Sequence, residues 1–306
     1  MSTYITIDGG TTSTRVHLFQ NGEILDTIKL DIGARTAIGN RGAYTDAIKN
    51  AIDELRRKAD GIEKILASGM ITSEFGLCPL PHISAPAGLD ELHHAMHEVV
   101  ISEISEIPFV FMRGVKLDGG DVDSFDMMRG EETELMGILQ ETGDACVYVL
   151  PGSHSKIIQT DCCGRITSFS TMLTGEMIAA LSQGTILKDA VDLSVDKIDA
   201  EYLLKGYDYA EQNGINKALF KVRVLKNNFG CSKEAVYSFF MGVVLCEEIV
   251  SILKEESKTV VLGGREQIKR AMALILDKKS DKKVVELSPE AVDRSTSAGM
   301  VKIYEH

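Results

Sequence analysis

From its first residues the chain alternates apolar and polar positions at period two: Tyr4-Ile5-Thr6-Ile7, then Arg15-Val16-His17-Leu18-Phe19, then residues 24–30. Successive side chains of a strand point to opposite faces, so this spacing predicts three half-buried strands. Gly9-Gly10 separates the first two, and Asn21-Gly22, a strong two-residue hairpin signal, separates the second from the third. The three read as an antiparallel meander. The period then becomes helical over about 44–58, where Ala47, Ile48, Ala51, Ile52 and Leu55 share one face. Ile65-Leu66-Ala67 predicts a strand, 89–101 a helix, 109–112 a strand and 131–140 a helix. The order is β-β-β-α-β-α-β-α.

That order then starts again. Residues 146–150, 157–160 and 166–172 read as strands and 175–187 as a helix. A helical insertion over about 188–257 carries helices at 216–227 and 233–253, the second so apolar (Phe239, Phe240, Met241, Val244, Leu245) that it reads as core packing. A strand at 260–262, a helix at 266–276, a strand at 284–287 and a helix at 289–304 follow, with Pro289 suited to the first helical position behind Ser288. Two lobes are expected, 1–141 and 142–306, the second holding the insertion and the closing C-terminal helix. The repeat is visible in the residues: the Ile5–Ile24 stretch, with its glycine loop and its Asn21-Gly22 turn, parallels 148–166, with Pro151-Gly152 and Cys163-Gly164. Arg15 and Lys156 each open the second strand of their hairpin. A duplicated α/β unit of this order resembles the ribonuclease H-like domains of the actin/hexokinase/Hsp70 superfamily. The resemblance implies an actin-like ATPase fold with nucleotide in an interlobe cleft.

Composition narrows the partners. At 306 residues the chain is long for one core and comfortable for two. Its net charge of −12 is spread along the chain, which argues against nucleic acid or an anionic membrane, since both need a basic face. The N-terminus has no basic region followed by an apolar one, so no signal peptide is expected, and the longest apolar run, near 239–245, is too short to span a bilayer. Six cysteines without a CxxC pair read as reduced, mostly buried thiols, with Cys162-Cys163 on a solvent-edge turn. The expected location is cytoplasmic.

Three loops carry candidate chemistry. Asp8-Gly9-Gly10-Thr11-Thr12-Ser13-Thr14-Arg15 follows a strand. Its glycines let backbone N–H groups approach an anion closely, and the hydroxyls of Thr11, Thr12 and Ser13 add donors for phosphate. Asp8, at the end of a buried strand, needs a counter-charge, and Mg²⁺ held through waters would supply one. No G-x-x-x-x-G-K-[ST] sequence is present, so this is not a P-loop. The second loop, Pro151-Gly152-Ser153-His154-Ser155-Lys156, repeats the glycine, hydroxyls and cation without the acid, and Lys156 is a candidate point charge for a phosphate oxygen. The third, Gly263-Gly264 after an apolar strand, suits adenosine lying against backbone. A fourth block, Arg129-Gly130-Glu131-Glu132-Thr133-Glu134, opens a helix with carboxylates. Phosphoryl transfer needs such a group to orient the attacking hydroxyl and take its proton, and Glu131 or Glu132 is the candidate. Histidines 93, 94 and 97 give an i, i+4 pair on the 89–101 helix, but no carboxylate or Cys completes a metal set, so they read as helix surface.

Together with Ser68-Gly69-Met70, Ala85-Pro86-Ala87-Gly88-Leu89 and Leu173-Thr174-Gly175-Glu176, these blocks resemble the 2-dehydro-3-deoxygalactonokinases in order and spacing from residue 5 to about 188. The resemblance implies phosphorylation of the terminal (6-) hydroxyl of 2-dehydro-3-deoxy-D-galactonate by MgATP, in galactonate catabolism. It places Ser68, Gly69, Met70, Ala87, Gly88, Arg129, Gly130, Thr174, Gly175 and Glu176 at the substrate. By analogy with the exopolyphosphatase branch of the superfamily, it also favours Glu131 as the base. The expected partners are a sugar acid and ATP, with a homodimer allowed for. Two positions depart from the family: Gly9 stands where Trp is usual, and Ser73-Glu74-Phe75-Gly76-Leu77 stands where Ser-Arg-Gln-Gly-Trp is usual. Glu74 would oppose a substrate carboxylate, and Arg129 or Arg113 could replace the missing charge. The alternatives are a kinase of a related 2-keto-3-deoxy acid and a non-catalytic actin-like ATP-binding regulator.

Overall fold

The computed structural model describes residues 2–139 and 145–306, so the expected lobe boundary at 141/142 lies outside the described residues. The described chain divides into two units, one formed by 2–139, 161–168 and 289–306, the other by 145–160 and 169–288.

In the first unit, β1 (Thr3–Gly9), β2 (Thr14–Gln20) and β3 (Glu23–Leu30) form the predicted meander. Helix α1 (Ala34–Arg56) then leads to β4 (Ile62–Gly69). The remaining elements are β5 (Ile83–Ser84), α2 (Leu89–His94), β6 (His97–Ile101), β7 (Ser105–Phe111), β8 (Val115–Asp118), β9 (Phe125–Met128) and α3 (Glu131–Ile138). The main sheet runs β3-β2-β1-β4-β7-β6, and β5, β8 and β9 make a small second sheet. Strand β1 is antiparallel to β2, with Asp8 opposite Arg15. It is parallel to β4, with Asp8 beside Ser68 and Gly9 beside Gly69. Ile5, Ile7, Val16, Ile48, Ile52, Ile65, Phe109 and Phe111 close the core beneath. Each such side chain contributes about 1.5–3 kcal/mol by leaving water.

The second unit repeats the plan with β10 (Val147–Leu150), β11 (Ser155–Thr160), β12 (Ile166–Met172, of which 169–172 belong to this unit) and α4 (Thr174–Gly184). Three helices follow, α5 (Ala200–Asn213), α6 (Ile215–Asn227) and α7 (Lys233–Lys254), and then β13 (Thr259–Leu262), α8 (Glu266–Lys279) and β14 (Lys283–Glu286). Its sheet order, β12-β11-β10-β13-β14, matches β3-β2-β1-β4-β7 strand for strand. Helix α7 is long and apolar enough to cross a membrane, which the short apolar run at 239–245 did not suggest. It is instead the buried axis of this unit's core, packed with Leu203, Tyr207, Val260 and Ile275.

Four expectations change. Helix α1 begins ten residues before 44 and is kinked at Asn40 (φ −155°, ψ 77°). The helix expected over 89–101 ends at His94, because His97–Ile101 alternates at period two and pairs antiparallel with β7. The three histidines therefore do not share a helix face. The small β5-β8-β9 sheet was not foreseen. Lastly, the closing helix α9 (Pro289–Glu305), expected in the second lobe, packs in the first unit. Gly137 lies against Ser295 and Gly299 against Thr133, so small residues let α3 and α9 approach at backbone distance. Thr6 and Ser297 share a 2.6 Å hydroxyl bond, and Tyr4 donates to Glu305 at 2.9 Å.

Candidate active site

In the first unit the site is built where β1, β4 and α3 end or begin. The first loop is a tight turn in which the Gly10 N–H donates to the Ser13 carbonyl at 2.9 Å. The carbonyls of Gly10 and Thr11 accept from the N–H groups of Ala34 and Arg35, which pins the loop to the start of α1. Thr11, Thr12 and Ser13 are exposed, as phosphate donors must be. Beside them Arg15 Nη1 lies 4.0 Å from Asp8 Oδ2. Burial raises the Asp8 pKa above the usual carboxylate value, Arg15 opposes the shift, and the Glu131 carboxylate adds to it.

Helix α3 is brought against this strand end by two glycines. Gly69 (φ 89°) and Gly130 (φ 114°) both adopt backbone conformations that side chains rarely reach. A Cβ on Gly130 would stand 3.2 Å from the Gly69 Cα, and one on Gly69 would stand 2.6 Å from the Gly9 carbonyl. Ser68 and Thr133 share a 2.8 Å hydroxyl bond across the same seam.

The carboxylates of the α3 block now have different environments. Glu132 is fully buried and accepts the Gly130 N–H at both oxygens (2.9 and 2.8 Å) and the Thr133 hydroxyl at 3.1 Å. Burial, with Glu131 beside it, pushes its pKa up to about 8. Glu131 is half-buried and accepts the Arg129 N–H at Oε2, 3.0 Å. Glu134, not singled out by the sequence, is also pushed up to about 8, by burial and by the Glu131 and Asp8 charges. Arg15 is the cation that acts on both Asp8 and Glu134. Among the described residues no three His, Cys, Asp or Glu side chains converge to hold a metal ion directly. The excess of carboxylate over cation at Asp8 instead fits a hydrated divalent cation held through its waters.

Arg129 is placed differently from a free substrate-binding cation. Its guanidinium donates to the Thr72 carbonyl (2.8 Å) and hydroxyl (2.6 Å) and to the Leu80 carbonyl (3.1 Å), and it faces His82 Nδ1 at 3.2 Å. Met70 opens the short 3₁₀ turn that ends at Thr72. Ala87 and Gly88 serve another contact, Ala87 bridging Ile166 and Gly88 packing on Arg165.

In the second unit the loop 151–156 is braced from three sides. The Arg265 N–H donates to the Pro151 carbonyl (3.1 Å) and the Gly263 N–H to that of Val149 (2.9 Å), so the Gly263-Gly264 turn and the loop are one structure. The start of α4 lies on Gly152 and Ser153: a Cβ on Gly175 would meet the Gly152 carbonyl and stand 2.8 Å from the Ser153 Cα. The Glu176 N–H donates to the Ser153 carbonyl (3.2 Å), and its carboxylate faces His154 Nε2 at 3.2 Å. Ser153 and His154 are exposed. Ser155 and Lys156, both predicted at phosphate, are buried instead. Ser155 donates to Glu248, and Lys156 Nζ donates to Thr171 on the neighbouring strand at 2.7 Å. Both residues already belong to β11, a strand buried on both of its faces, so neither side chain is left at the loop.

Glu248 itself was missed. Its two oxygens take the hydroxyls of Ser155 and Thr174, the latter at 2.5 Å. The signal was present: Val244, Leu245, Glu248, Ile249 and Ile252 form one helical face, and an acid within an apolar stripe needs a polar partner. A cavity of about 360 Å³ is lined by Gly175, Ile178, Leu193, Tyr237, Met241 and Arg265.

The profile of the 2-keto-3-deoxy-galactonokinase family matches residues 8–303. The chain belongs to that family. It is 25% identical over 269 residues to the 2-dehydro-3-deoxygalactonokinase of Escherichia coli (strain K12), covering 85% of each. The crystal structure of a candidate 2-dehydro-3-deoxygalactonokinase from Sinorhizobium meliloti superposes with a TM-score of 0.78 at 22% identity, over 98% of this chain and 97% of that one. The activator of the 2-hydroxyisocaproyl-CoA dehydratase from Clostridium difficile, with bound ADPNP, superposes at 0.52 with 12% identity, over 99% and 95%. With the strand order repeated in both units, these likenesses establish the duplicated α/β, actin-like ATPase fold read from the sequence. Membership places the chain among kinases of sugar-acid metabolism with an ATP-binding fold. Gly9 leaves no room for a side chain, since the Ile71 Cβ would lie 2.7 Å from any Cβ there.

Proposed function

We propose that this kinase transfers the γ-phosphoryl group of ATP to the terminal hydroxyl of 2-dehydro-3-deoxy-D-galactonate, giving the 6-phosphate and ADP in galactonate catabolism in the cytoplasm. Family membership supports the reaction class, and one observation supports the assignment of the base. Of the two adjacent glutamates, Glu132 has both oxygens engaged within a buried seam, while Glu131 is half-exposed and held by one backbone N–H.

In this reading Glu131 accepts the proton of the attacking hydroxyl. The Arg129 N–H fixes its rotamer, and the neutral form of Glu132, favoured below about pH 8, keeps a second negative charge from its side. The exposed hydroxyls of Thr11, Thr12 and Ser13 donate to phosphate oxygens at the first loop, and Ser153 and His154 are the exposed donors of the second loop. Arg15 adds charge at the first loop and holds Asp8 oriented. Mg²⁺, when bound through waters near Asp8, supplies charge compensation for the β- and γ-phosphates. Gly263 and Gly264, with the cavity lined by Tyr237 and Met241, take the adenosine.

Coupled ADP-release assays across 2-keto-3-deoxy sugar acids test the reading. Turnover with the galactonate-derived acid well above the ATPase background is the expected result. Preference for another acid of the class would move the substrate, and no acceptor above background would overturn the kinase assignment.

A further inference from the structure

Two buried N–H donors in the first unit have no hydrogen-bond partner among the described residues: Arg113 Nε and His82 Nε2. The tautomer of His82 follows from its neighbour. An arginine can only donate, so the His82 Nδ1 that faces Arg129 Nη2 at 3.2 Å is the lone-pair nitrogen, and Nε2 carries the proton. Both residues stand at the same end of the small sheet. Ile83 pairs with Val115, which sets His82 opposite Gly114, and a Cβ on Gly114 would come within 3.0 Å of His82 Nε2. Arg113 is the preceding residue.

The surroundings are electropositive in a chain whose net charge is −12. Burial holds His82 neutral, with a pKa of about 4, and the charges of Arg129 and Lys116 act in the same direction. Lys116 has Asp118 as its counter-ion at 2.6 Å, whereas no ion pair is made by Arg113 among the described residues. The place is also tied to the candidate base. Arg129 holds Glu131 with its backbone N–H and His82 with its guanidinium.

We propose that Arg113 and the His82 Nε2–H form a carboxylate subsite that receives the acid end of the substrate while its terminal hydroxyl lies at Glu131. The inference rests on the sugar-acid reading above and names the specificity-determining residues of that same site. Glu74 itself is exposed, so the cation of this subsite comes from Arg113, two residues ahead of β8.

Equilibrium titration by calorimetry separates this inference from the kinase reading. The probes are 2-dehydro-3-deoxy-D-galactonate and its carboxamide, added to the wild type, Arg113→Ala and Arg113→Lys. Wild type should bind the acid about ten- to a hundredfold more tightly than the amide, the range of a charge-assisted hydrogen bond. Arg113→Ala should lose that preference, Arg113→Lys should keep part of it, and ATP affinity should stay unchanged in both. Equal wild-type binding of acid and amide overturns the subsite without recourse to any variant, as does an Arg113→Ala protein that still prefers the acid. Binding without turnover would overturn the kinase reading and leave the subsite standing; turnover with no acid preference would do the reverse. Failure of the wild type to bind the acid would overturn both.

Discussion

Thr72 receives the Arg129 guanidinium twice, at its carbonyl (2.8 Å) and at its hydroxyl (2.6 Å). Arg129 is therefore a clamp on the 72–82 segment rather than a free cation. Lysine keeps the charge but not the fork that reaches Thr72, Leu80 and His82 together. Arg129→Lys should cost about 1.5–3 kcal/mol of stability for each charged hydrogen bond it fails to rebuild. It should also lower kcat, because the Arg129 backbone positions Glu131. A thermal midpoint equal to that of the wild type would show that the clamp contributes nothing.

The two adjacent glutamates should separate by assay. Glu131→Gln should lower kcat by about 10²–10⁴, the usual worth of a general base, with ATP affinity retained. Glu132→Gln should cost far less, since its carboxylate faces Gly130 and Thr133. The reverse order of effects would move the base to Glu132.

Glu132 also sets a pH dependence. Its native pKa of about 8 lies above the ordinary 4.5, so between those values the folded state holds a proton that the unfolded state has lost. Stability should thus fall as pH rises through this window, by about 1.4 kcal/mol per pH unit at most for one such group, and level off above about pH 8. In Glu132→Gln that component should vanish. Thermal melts of both proteins from pH 5 to 9 check this, and identical slopes would remove Glu132 as the cause.

The sheet order was legible because Ile5, Ile7, Val16 and Leu18 alternate cleanly and because the pattern occurs twice. The glycine loops were legible because Gly10 and Gly152 follow buried strands. The 97–101 strand was not, since Val99, Val100 and Ile101 satisfy a helical apolar pattern as readily as an edge strand. The small sheet was hidden by length: two or four residues carry too little periodicity. Nor could sequence order reveal that α9 packs on α3, because Gly137, Ser295 and Gly299 lie far apart in the chain and only their small size marks the contact. Within the site, residue types were readable and side-chain directions were not. Ser155 and Lys156 follow the loop's glycine but already belong to β11, which is buried on both faces, so each is held within the unit.

Glu248 should therefore matter although it touches no candidate ligand. Alanine there leaves the Ser155 and Thr174 hydroxyls without their acceptor, at about 1–3 kcal/mol for each group left unsatisfied. Both hydroxyls position elements at the second loop, so Glu248→Ala should weaken ATP binding as well as lower the thermal midpoint. Glu248→Gln should recover most of both, because a serine or threonine hydroxyl can accept as well as donate. Unchanged ATP affinity in the alanine variant would reduce Glu248 to a packing residue.

The last prediction concerns the seat of α4 on the loop. A methyl group at Gly175 would run into the Gly152 carbonyl and the Ser153 Cα, both backbone, so no side-chain rotation can relieve it. Overpacking of this kind costs about 1–3 kcal/mol, and here the strain would fall on the Gly152–Ser153 backbone proposed to face phosphate. Gly175→Ala should accordingly lose ATP affinity as well as stability. Gly184 at the other end of α4 is the control, because nothing lies within 4 Å of its Cβ position. Gly184→Ala should leave ATP binding intact and should gain about 0.5–1 kcal/mol from reduced backbone freedom. Isothermal titration with a non-hydrolysable ATP analogue distinguishes the two variants. Equal affinities would show that the second loop tolerates displacement by α4, and that its placement does not depend on the close approach at Gly175.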